Sequence, residues 1–450
     1  MSWKATGDIA PGRLSATQLA CNFVDVAPPL DAAAARVAAD RCHYCYDAPC
    51  IAACPTGIDI PGFIRQIASD NVEGAGLRIL EANIFGGVCA RVCPTEILCE
   101  RACVRVAQEG KPIEIGQLQR YAVDPILGSG VHPFTRARPS GKRVAVVGGG
   151  PAGLSCAHRL ALLGHEVTVI EARERLGGLN EYGVAEYKVA EHFARAEVDF
   201  VLGIGGIGVK TATRLGRDVT LSQLRRDFDA VFLGMGLAGV NALDCEGEAL
   251  EGVFDAIDYI ATLRQAEDFA ILPVGRRTVV IGGGNTAVDI AVQTKRLGAE
   301  DVTLVYRRGE EAMSATAHER HFAQVNGVKI KHWARPLKIT GSDGAVREAV
   351  FEYTRLDGGR LVGTGERFAL KADMVFKAIG QRFVADPLED GTRELLELEK
   401  GRITVDDERR TSLAKVWAGG DCIAGGEDLT VRAVEDGKRA AQSIHRTLMT

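Results

Sequence analysis

No stretch of this 450-residue sequence approaches the ~18 consecutive apolar residues needed to cross a membrane, although 46% of it is hydrophobic. No Lys/Arg-rich run stands out either. The 54 basic residues face 59 acidic ones, and a formal charge of −5 offers no basic footprint for nucleic acid. The first twenty residues, MSWKATGDIAPGRLSATQLA, lack both a basic n-region and an apolar h-region, so no export signal is visible. These absences argue against a membrane or nucleic-acid partner and lead to the expectation of a soluble, cytoplasmic protein. At roughly 150 residues per domain, the length points to about three domains.

Two residue types are plentiful instead. Glycine contributes 52 residues, above the usual ~7%, which implies close approaches of backbone to some other group. Of 12 cysteines, eight lie between Cys42 and Cys103. Cysteines packed into one segment of a large chain without an export signal point to metal rather than to disulfides.

Composition divides the chain. Residues 1–140 hold the cysteine cluster and end in the turn-rich stretch Gly128 to Lys142. Within them, Pro61 to Asn83 carries Phe63, Ile64, Ile67, Val72, Leu77, Ile79 and Leu80 at near-helical spacing, in two short patches split by Gly74 and Gly76. Short helices carrying cysteine-bearing loops are expected there. From Lys142 a strand, a glycine loop and a helix follow one another, and the pattern returns at Arg276 to Arg308. Two such βαβ units imply parallel sheets covered on both faces.

The first loop reads Gly148-Gly149-Gly150-Pro151-Ala152-Gly153. Gly148 permits the tight turn, Gly150 lets backbone approach a pyrophosphate, and Gly153 lets the helix pack on its strand. Glu171, 18 residues past Gly153, closes the next strand where a carboxylate would accept hydrogen bonds from ribose hydroxyls. The second loop, Gly282-Gly283-Gly284-Asn285-Thr286-Ala287, is followed by Tyr306-Arg307-Arg308 where the first unit has its acid. Nothing there repels a 2′-phosphate, and two guanidiniums would bind one, which favours NADP(H) over NAD(H).

Two dinucleotide sites suggest a flavoprotein that takes hydride from a nicotinamide. VWAGGDCIAGG, from Val416 to Gly426, with Asp421 and then Thr430 before a helix, resembles the closing motif of two-dinucleotide-binding flavoproteins, whose Asp bonds the flavin ribityl chain. Gly177-Gly178-Leu179 and Ala378-Ile379-Gly380-Gln381 resemble secondary motifs of that superfamily. The implied fold is α/β: two Rossmann-like domains, for FAD and NAD(P), preceded by an α-helical iron–sulfur domain. Its expected segments are 1–140 for the clusters, 141–270 with 380–450 for FAD, and 271–379 for NAD(P). Disulfide reductases of the superfamily need a redox cysteine pair beside the flavin. After Cys103 only Cys156, Cys245 and Cys422 remain, widely separated. Each of these, and Cys21, reads as a small packed residue.

The cysteines run Cys42-x2-Cys45-x4-Cys50-x3-Cys54-Pro55, then Cys89-x3-Cys93-Pro94-x4-Cys99-x3-Cys103. Zinc favours two CxxC pairs, and only Cys42/Cys45 has that form. Eight close thiols, with Pro after Cys54 and Cys93, suit two [4Fe–4S] clusters better. Nicotinamide gives two electrons together, a cluster accepts one at a time, and a flavin does both, so the three sites read as an electron relay.

Nearly the whole chain resembles the NAD(P)H-oxidising subunit of bacterial dihydropyrimidine dehydrogenase, whose architecture the glutamate synthase small subunit shares. The stretches that carry the first resemblance are Cys42 to Ile64, Val88 to Cys99, and PIEIGQLQR from Pro112 to Arg120. The last includes Gln119 where that family has a cluster-ligating Gln and glutamate synthase subunits usually have Glu. Position by position, the resemblance implies one cluster on Cys42, Cys45, Cys50 and Cys103, and another on Cys54, Cys93, Cys99 and Gln119, with Cys89 as the alternative fourth ligand. It further implies a partner subunit with its own clusters and an FMN at which uracil or thymine is interconverted with the 5,6-dihydro form. No residue of this chain is assigned to that catalysis. His318-Glu319-Arg320-His321 lacks the HExxH spacing of a metal pair and reads as a solvated helix face. Val184-Ala185-Glu186-Tyr187-Lys188 departs from the family's Ile-Pro-x-Phe-Arg/Lys. Rival readings are the glutamate synthase subunit, a free-standing NAD(P)H–ferredoxin oxidoreductase and a non-catalytic scaffold.

Overall fold

A computed structural model describes residues 8–388 and 396–450. The ends of the expected 1–140 and 380–450 segments that fall at 1–7 and 389–395 therefore lie outside the described residues. No described helix is long and apolar enough to cross a membrane.

Strands alternate with helices from Arg143 onward, whereas the chain up to residue 128 is dominated by helices. The first is α1 (Ala16–Asn22), and the cysteine region that follows is helical throughout: α2 (Ala32–Asp40), α3 (Pro49–Ala53), α4 (Ile60–Ala68), α5 (Val72–Ala82), α6 (Gly86–Val92), α7 (Val104–Glu109) and α8 (Ile115–Gly128). Then come α9 (Pro151–Leu162), α10 (Leu179–Tyr182), α11 (Phe193–Leu202), α12 (Leu221–Asp227), α13 (Ala256–Gln265), α14 (Asn285–Arg296), α15 (Ala317–Val325) and α16 (Thr430–Met449).

Local chemistry sets several of these boundaries. Asp31 caps α2 by accepting from Ala34 N at 2.7 Å, and Asn71 caps α5 by accepting from Gly74 N at 3.0 Å. The two apolar patches of residues 61–83 accordingly divide at Ser69 to Asn71, not at Gly74 and Gly76, both of which lie inside α5. Gly76 has a packing role there: a Cβ on it would sit 2.4 Å from Ala122 O of α8.

The chain folds into two compact units. The larger comprises residues 27–181, 191–239, 382–388 and 396–450. Its sheet runs Val416–Ala418, Ala230–Leu233, Arg143–Val147, Glu166–Ile170, Ile207–Lys210, all parallel. One apolar core extends from the cysteine helices (Phe63, Ile79, Leu118) through the sheet and α9 (Val146, Leu154) to α16 (Ala440, Ile444). The closeness of α9 to α16 depends on Gly437, whose Cβ would stand 2.1 Å from Ala152 O.

The smaller unit comprises residues 8–26, 182–190 and 240–381. Its parallel sheet runs Lys329–Lys331, Asp301–Val305, Arg277–Gly282, Met374–Ala378, Val253–Asp255. An antiparallel meander, Ala334–Ser342, Ala345–Asp357 and Arg360–Lys371, accompanies it. Three stretches pack here although composition groups them elsewhere. Residues 8–26 do so because Ile9–Ala10 pairs with Val274–Gly275 and because Leu19 and Phe23 join this core. Residues 240–270 do so because Val253–Asp255 extends the sheet, and 182–190 because Tyr187 is buried in the same core.

Candidate functional site

The larger unit gathers the cysteines in two groups. Cys42 lies two residues past α2, Cys50 is in α3 with Cys54 at its C-cap, Cys89 is in α6 with Cys93 at its C-cap, and Cys103 caps the start of α7. Cys42, Cys45, Cys50 and Cys103 line one pocket, walled by Ile60, Ile64, Ile113 and Ile115. Burial pushes the Cys42 thiol up, with Cys45 and Cys103 adding to the effect, while the Tyr44 N–H opposes it. Cys50 is pushed up to about 12 by burial and then by Cys103 and Cys42.

The second group holds Cys54, Cys89, Cys93 and Cys99. Cys93 is raised well above the ordinary thiol value by its hydrogen bond with Cys89, then by burial, with Cys99 and Cys54 as further neighbours. Cys99 is raised by burial, and both Cys54 and Cys50 contribute, so the two groups adjoin. Gln119 is buried on α8 and donates from Nε2 to Gly86 O at 2.7 Å, at the start of the helix that bears Cys89. Among the described residues no three Cys, His, Asp or Glu side chains converge to hold a single ion. Eight thiols gathered in two adjoining groups of four fit two multi-iron groups better than one zinc.

The first glycine loop sits at the carboxyl end of strand Arg143–Val147, where ligands bind in open α/β sheets. Gly148 has φ +100°, and a Cβ on it would lie 2.2 Å from Gly234 O. A Cβ on Gly153 would lie 1.9 Å from Gly148 O. Gly150 is the N-cap of α9 and supplies no side-chain acceptor, so the first-turn N–H groups are open to an anion. The Glu171 carboxylate accepts from Gly149 N at 2.7 Å and from Arg173 N at 2.8 Å, which holds it against the loop. Gly178 packs on the same loop: with φ +54°, its Cβ would be 2.7 Å from Gly150 Cα. Leu179 is partly exposed next to it, and Thr430 donates to Asn180 Oδ1 at 2.9 Å. Asp421 follows Gly420, whose Cβ would touch Ala152 of α9 at 2.9 Å. Burial, helped by Asp428 and opposed by Arg402, pushes the Asp421 carboxyl up to about 6. A backbone cradle without Cβ atoms, an uncapped helix and two carboxyls fit a dinucleotide such as FAD.

The second loop repeats this arrangement in the smaller unit. A Cβ on Gly282 would lie 2.2 Å from Ala378 O, and Gly284 is the N-cap of α14 without a side-chain cap. The Oδ1 of Asn285 is buried with no hydrogen-bond partner among the described residues, and Thr286 follows it in the first turn. Arg307 and Arg308 are exposed beyond strand Asp301–Val305, and among the described residues neither pairs with a carboxylate. Their backbone is fixed, since Thr354 Oγ1 donates to Arg307 O at 2.7 Å and Trp333 N to Arg308 O at 3.1 Å. An orphaned acceptor, open N–H groups and free guanidiniums fit a nicotinamide dinucleotide.

Several residues near this loop carried no sequence signal. Ser314 Oγ lies 3.2 Å from where a Gly284 Cβ would stand, and the Tyr306 ring covers Gly283. Lys188 pairs with Asp289 at 2.8 Å and Glu319 at 2.6 Å. Burial pulls its ammonium down, but the two carboxylates prevail and raise it to about 12. The expected solvated face of α15 therefore holds for His318 and His321, which are exposed, and not for Glu319, which turns inward. Cys156 and Cys422 are buried as expected and Cys245 partly so, whereas Cys21 is exposed because the buried side of α1 is carried by Leu19.

Residues 142–437 match the family model described as pyridine nucleotide-disulphide oxidoreductase, and residues 19–130 match dihydropyrimidine dehydrogenase domain II, 4Fe-4S cluster. The chain is 33% identical to the NAD-dependent dihydropyrimidine dehydrogenase subunit PreT of Escherichia coli K12, over 95% of this chain and 98% of that one. It is also 33% identical to the glutamate synthase [NADPH] small chain of the same organism, over 94% and 93%. Among solved structures, Mycobacterium tuberculosis FprA in complex with NADPH superposes with a TM-score of 0.57 at 20% identity, over 69% of this chain and 85% of that one, a likeness of fold.

Proposed function

Since the chain belongs to the pyridine nucleotide-disulphide oxidoreductase family and carries a 4Fe-4S domain of the dihydropyrimidine dehydrogenase type, we propose that it is the electron-transfer subunit of a dihydropyrimidine dehydrogenase. It would work with an FMN-containing iron–sulfur partner that interconverts uracil or thymine and the 5,6-dihydropyrimidines. When bound, FAD turns a two-electron hydride from NAD(P)H into single electrons that two [4Fe–4S] clusters carry.

Each group is assigned to residues of this chain. Gly148, Gly150 and Gly153 bring backbone to the FAD pyrophosphate, Glu171 orients the ribose, and Gly178, Leu179, Asp421 and Thr430 line the flavin side. Gly282, Gly284, Asn285 and Thr286 hold the nicotinamide dinucleotide, with Arg307 and Arg308 for a 2′-phosphate. Cys42, Cys45, Cys50 and Cys103 hold one cluster. Cys54, Cys93, Cys99 and Gln119 hold the other.

The observation that favours this reading over the glutamate synthase one is the buried Gln119, a neutral amide bonded to the first residue of the helix that bears Cys89. Replacing a thiolate by an amide removes one negative charge and should make that cluster easier to reduce, other terms equal. The test is anaerobic purification with iron, sulfide and flavin assay, then titration with NADPH and NADH. About eight irons (two four-iron clusters) and one FAD per chain are expected, with uracil turnover only once the FMN subunit is added. Zinc in place of iron, or a very large glutamine-dependent amidotransferase as the co-purifying partner, would sink it.

A further inference from the structure

One buried carboxylate ties the helix of the second cysteine group to the dinucleotide-binding part of the larger unit. Glu197, on α11, is 0% exposed. Its Oε1 accepts from Gly87 N at 2.8 Å and Val88 N at 3.0 Å, and its Oε2 accepts from Val88 N at 3.2 Å. Those donors form the first turn of α6, which bears Cys89 and ends at Cys93. The approach requires a glycine: a Cβ on Gly87 would lie 2.8 Å from Oε1 and 2.6 Å from Phe193 Cζ.

The surrounding charges leave this carboxyl without a dedicated cation. Arg91 is committed elsewhere, binding both Asp124 oxygens at 2.9 and 2.8 Å, donating to Gly87 O at 3.0 Å and lying 3.5 Å over the Phe193 ring. Asp124 also accepts from Arg120 Nε at 3.3 Å. Burial consequently pushes the Glu197 carboxyl up to about 8, against the pull of the two backbone N–H groups and of Arg91. A neutral amide would satisfy the same two donors. What a carboxyl adds is a proton that can leave, and the charge then left in a low-dielectric interior acts strongly on its neighbours.

We propose that Glu197 is a positioning residue for the second cluster, clamping the first turn of α6 and, when ionised, setting through its negative charge how readily that cluster takes an electron. The proposal rests on the cluster assignment above, and two variants separate its parts. Glu197→Gln keeps an oxygen for Gly87 and Val88 while removing the charge, and Glu197→Ala removes both.

The experiment is an EPR-monitored reductive titration of the full chain at pH 9, where the wild-type carboxyl is ionised. Glu197→Gln should retain wild-type iron and flavin and move one cluster signal to higher potential, leaving the other in place. Glu197→Ala should lose iron. Both cluster potentials unchanged in Glu197→Gln would overturn the electrostatic role. Equal iron loss in the two variants would reduce Glu197 to a folding contact and overturn it as well. Wild-type protein without iron would instead remove the cluster assignment, and the inference with it.

Discussion

The Nε2 of Gln119 donates to the carbonyl of Gly86 at 2.7 Å, joining α8 to the first residue of α6. This bond occupies Nε2, which leaves Oε1 as the atom that the proposed cluster would bind. Gln119→Ala should therefore lower the iron content or shift one cluster's potential, whereas Cys89→Ala should leave iron unchanged. Unchanged iron and an unchanged EPR spectrum for Gln119→Ala would refute its assignment. Iron loss in Cys89→Ala would make Cys89 the fourth ligand.

Arg307 and Arg308 stand exposed at the end of the strand that follows the second glycine loop. A charge-assisted hydrogen bond is worth roughly 1.5–3 kcal/mol, which corresponds to about tenfold to a hundredfold in affinity. Alanine at either position should raise KM for NADPH by about that factor and leave KM for NADH nearly unchanged. Steady-state kinetics with both donors check this. Equal effects on the two would remove the 2′-phosphate role.

Lys188 is the cation shared by Asp289 and Glu319 in the smaller unit, with 14% of its side chain exposed. Lys188→Met would leave two largely buried carboxylates facing each other. Breaking a buried pair in this way costs about 3–5 kcal/mol, so calorimetry should show Tm lowered by several degrees. An unchanged Tm would mean that the pair contributes nothing to this unit. In wild type the lysine's folded value is about 12 against 10.5 for an ordinary one. Its stabilisation is complete below about 10.5 and is lost as the pH rises to about 12.

Glu197 has the opposite sign. Its folded value of about 8 lies above the ordinary 4.5, so between those values the native state binds more protons than the unfolded one. Stability from this group falls as pH rises from 4.5 to 8 and is level above 8, by at most about 1.4 kcal/mol per pH unit. Thermal denaturation of wild type and Glu197→Gln between pH 5 and 9 should show the variant gaining relative stability with pH. A constant difference across that range would contradict the buried ionisation.

Features written in neighbouring residues were legible in the chain. Gly153 is demanded by its approach to Gly148 O, five residues away, and Gly148 by its own left-handed φ of +100° as well as by the distant Gly234 O, so the spacing of the glycines announces the loop. The parallel strands were legible for the same reason, since β-branched runs such as Arg143–Val147 precede each loop and bury four of five residues. The helix break at Ser69 to Asn71 is written in the Asn71 cap, but Gly74 and Gly76 nearby are the stronger helix-breaking residue type.

What no local pattern carried was pairing across distance. Cys103 shares a pocket with Cys42, and Cys99 adjoins Cys54, because the fold brings segments from opposite ends of the cysteine region together. Sequence spacing alone offered eight equivalent thiols. Glu319 and Glu197 each look like a solvated carboxylate on an amphipathic helix. Their burial is decided by Lys188, 131 residues away, and by Gly87, 110 residues away. The sequence by itself determined the fold class, the two dinucleotide loops and the supply of thiols, because backbone conformation and helix capping are short-range. Only the tertiary structure decided which thiols group together and which carboxyls lose their water, because desolvation depends on everything that packs around a side chain.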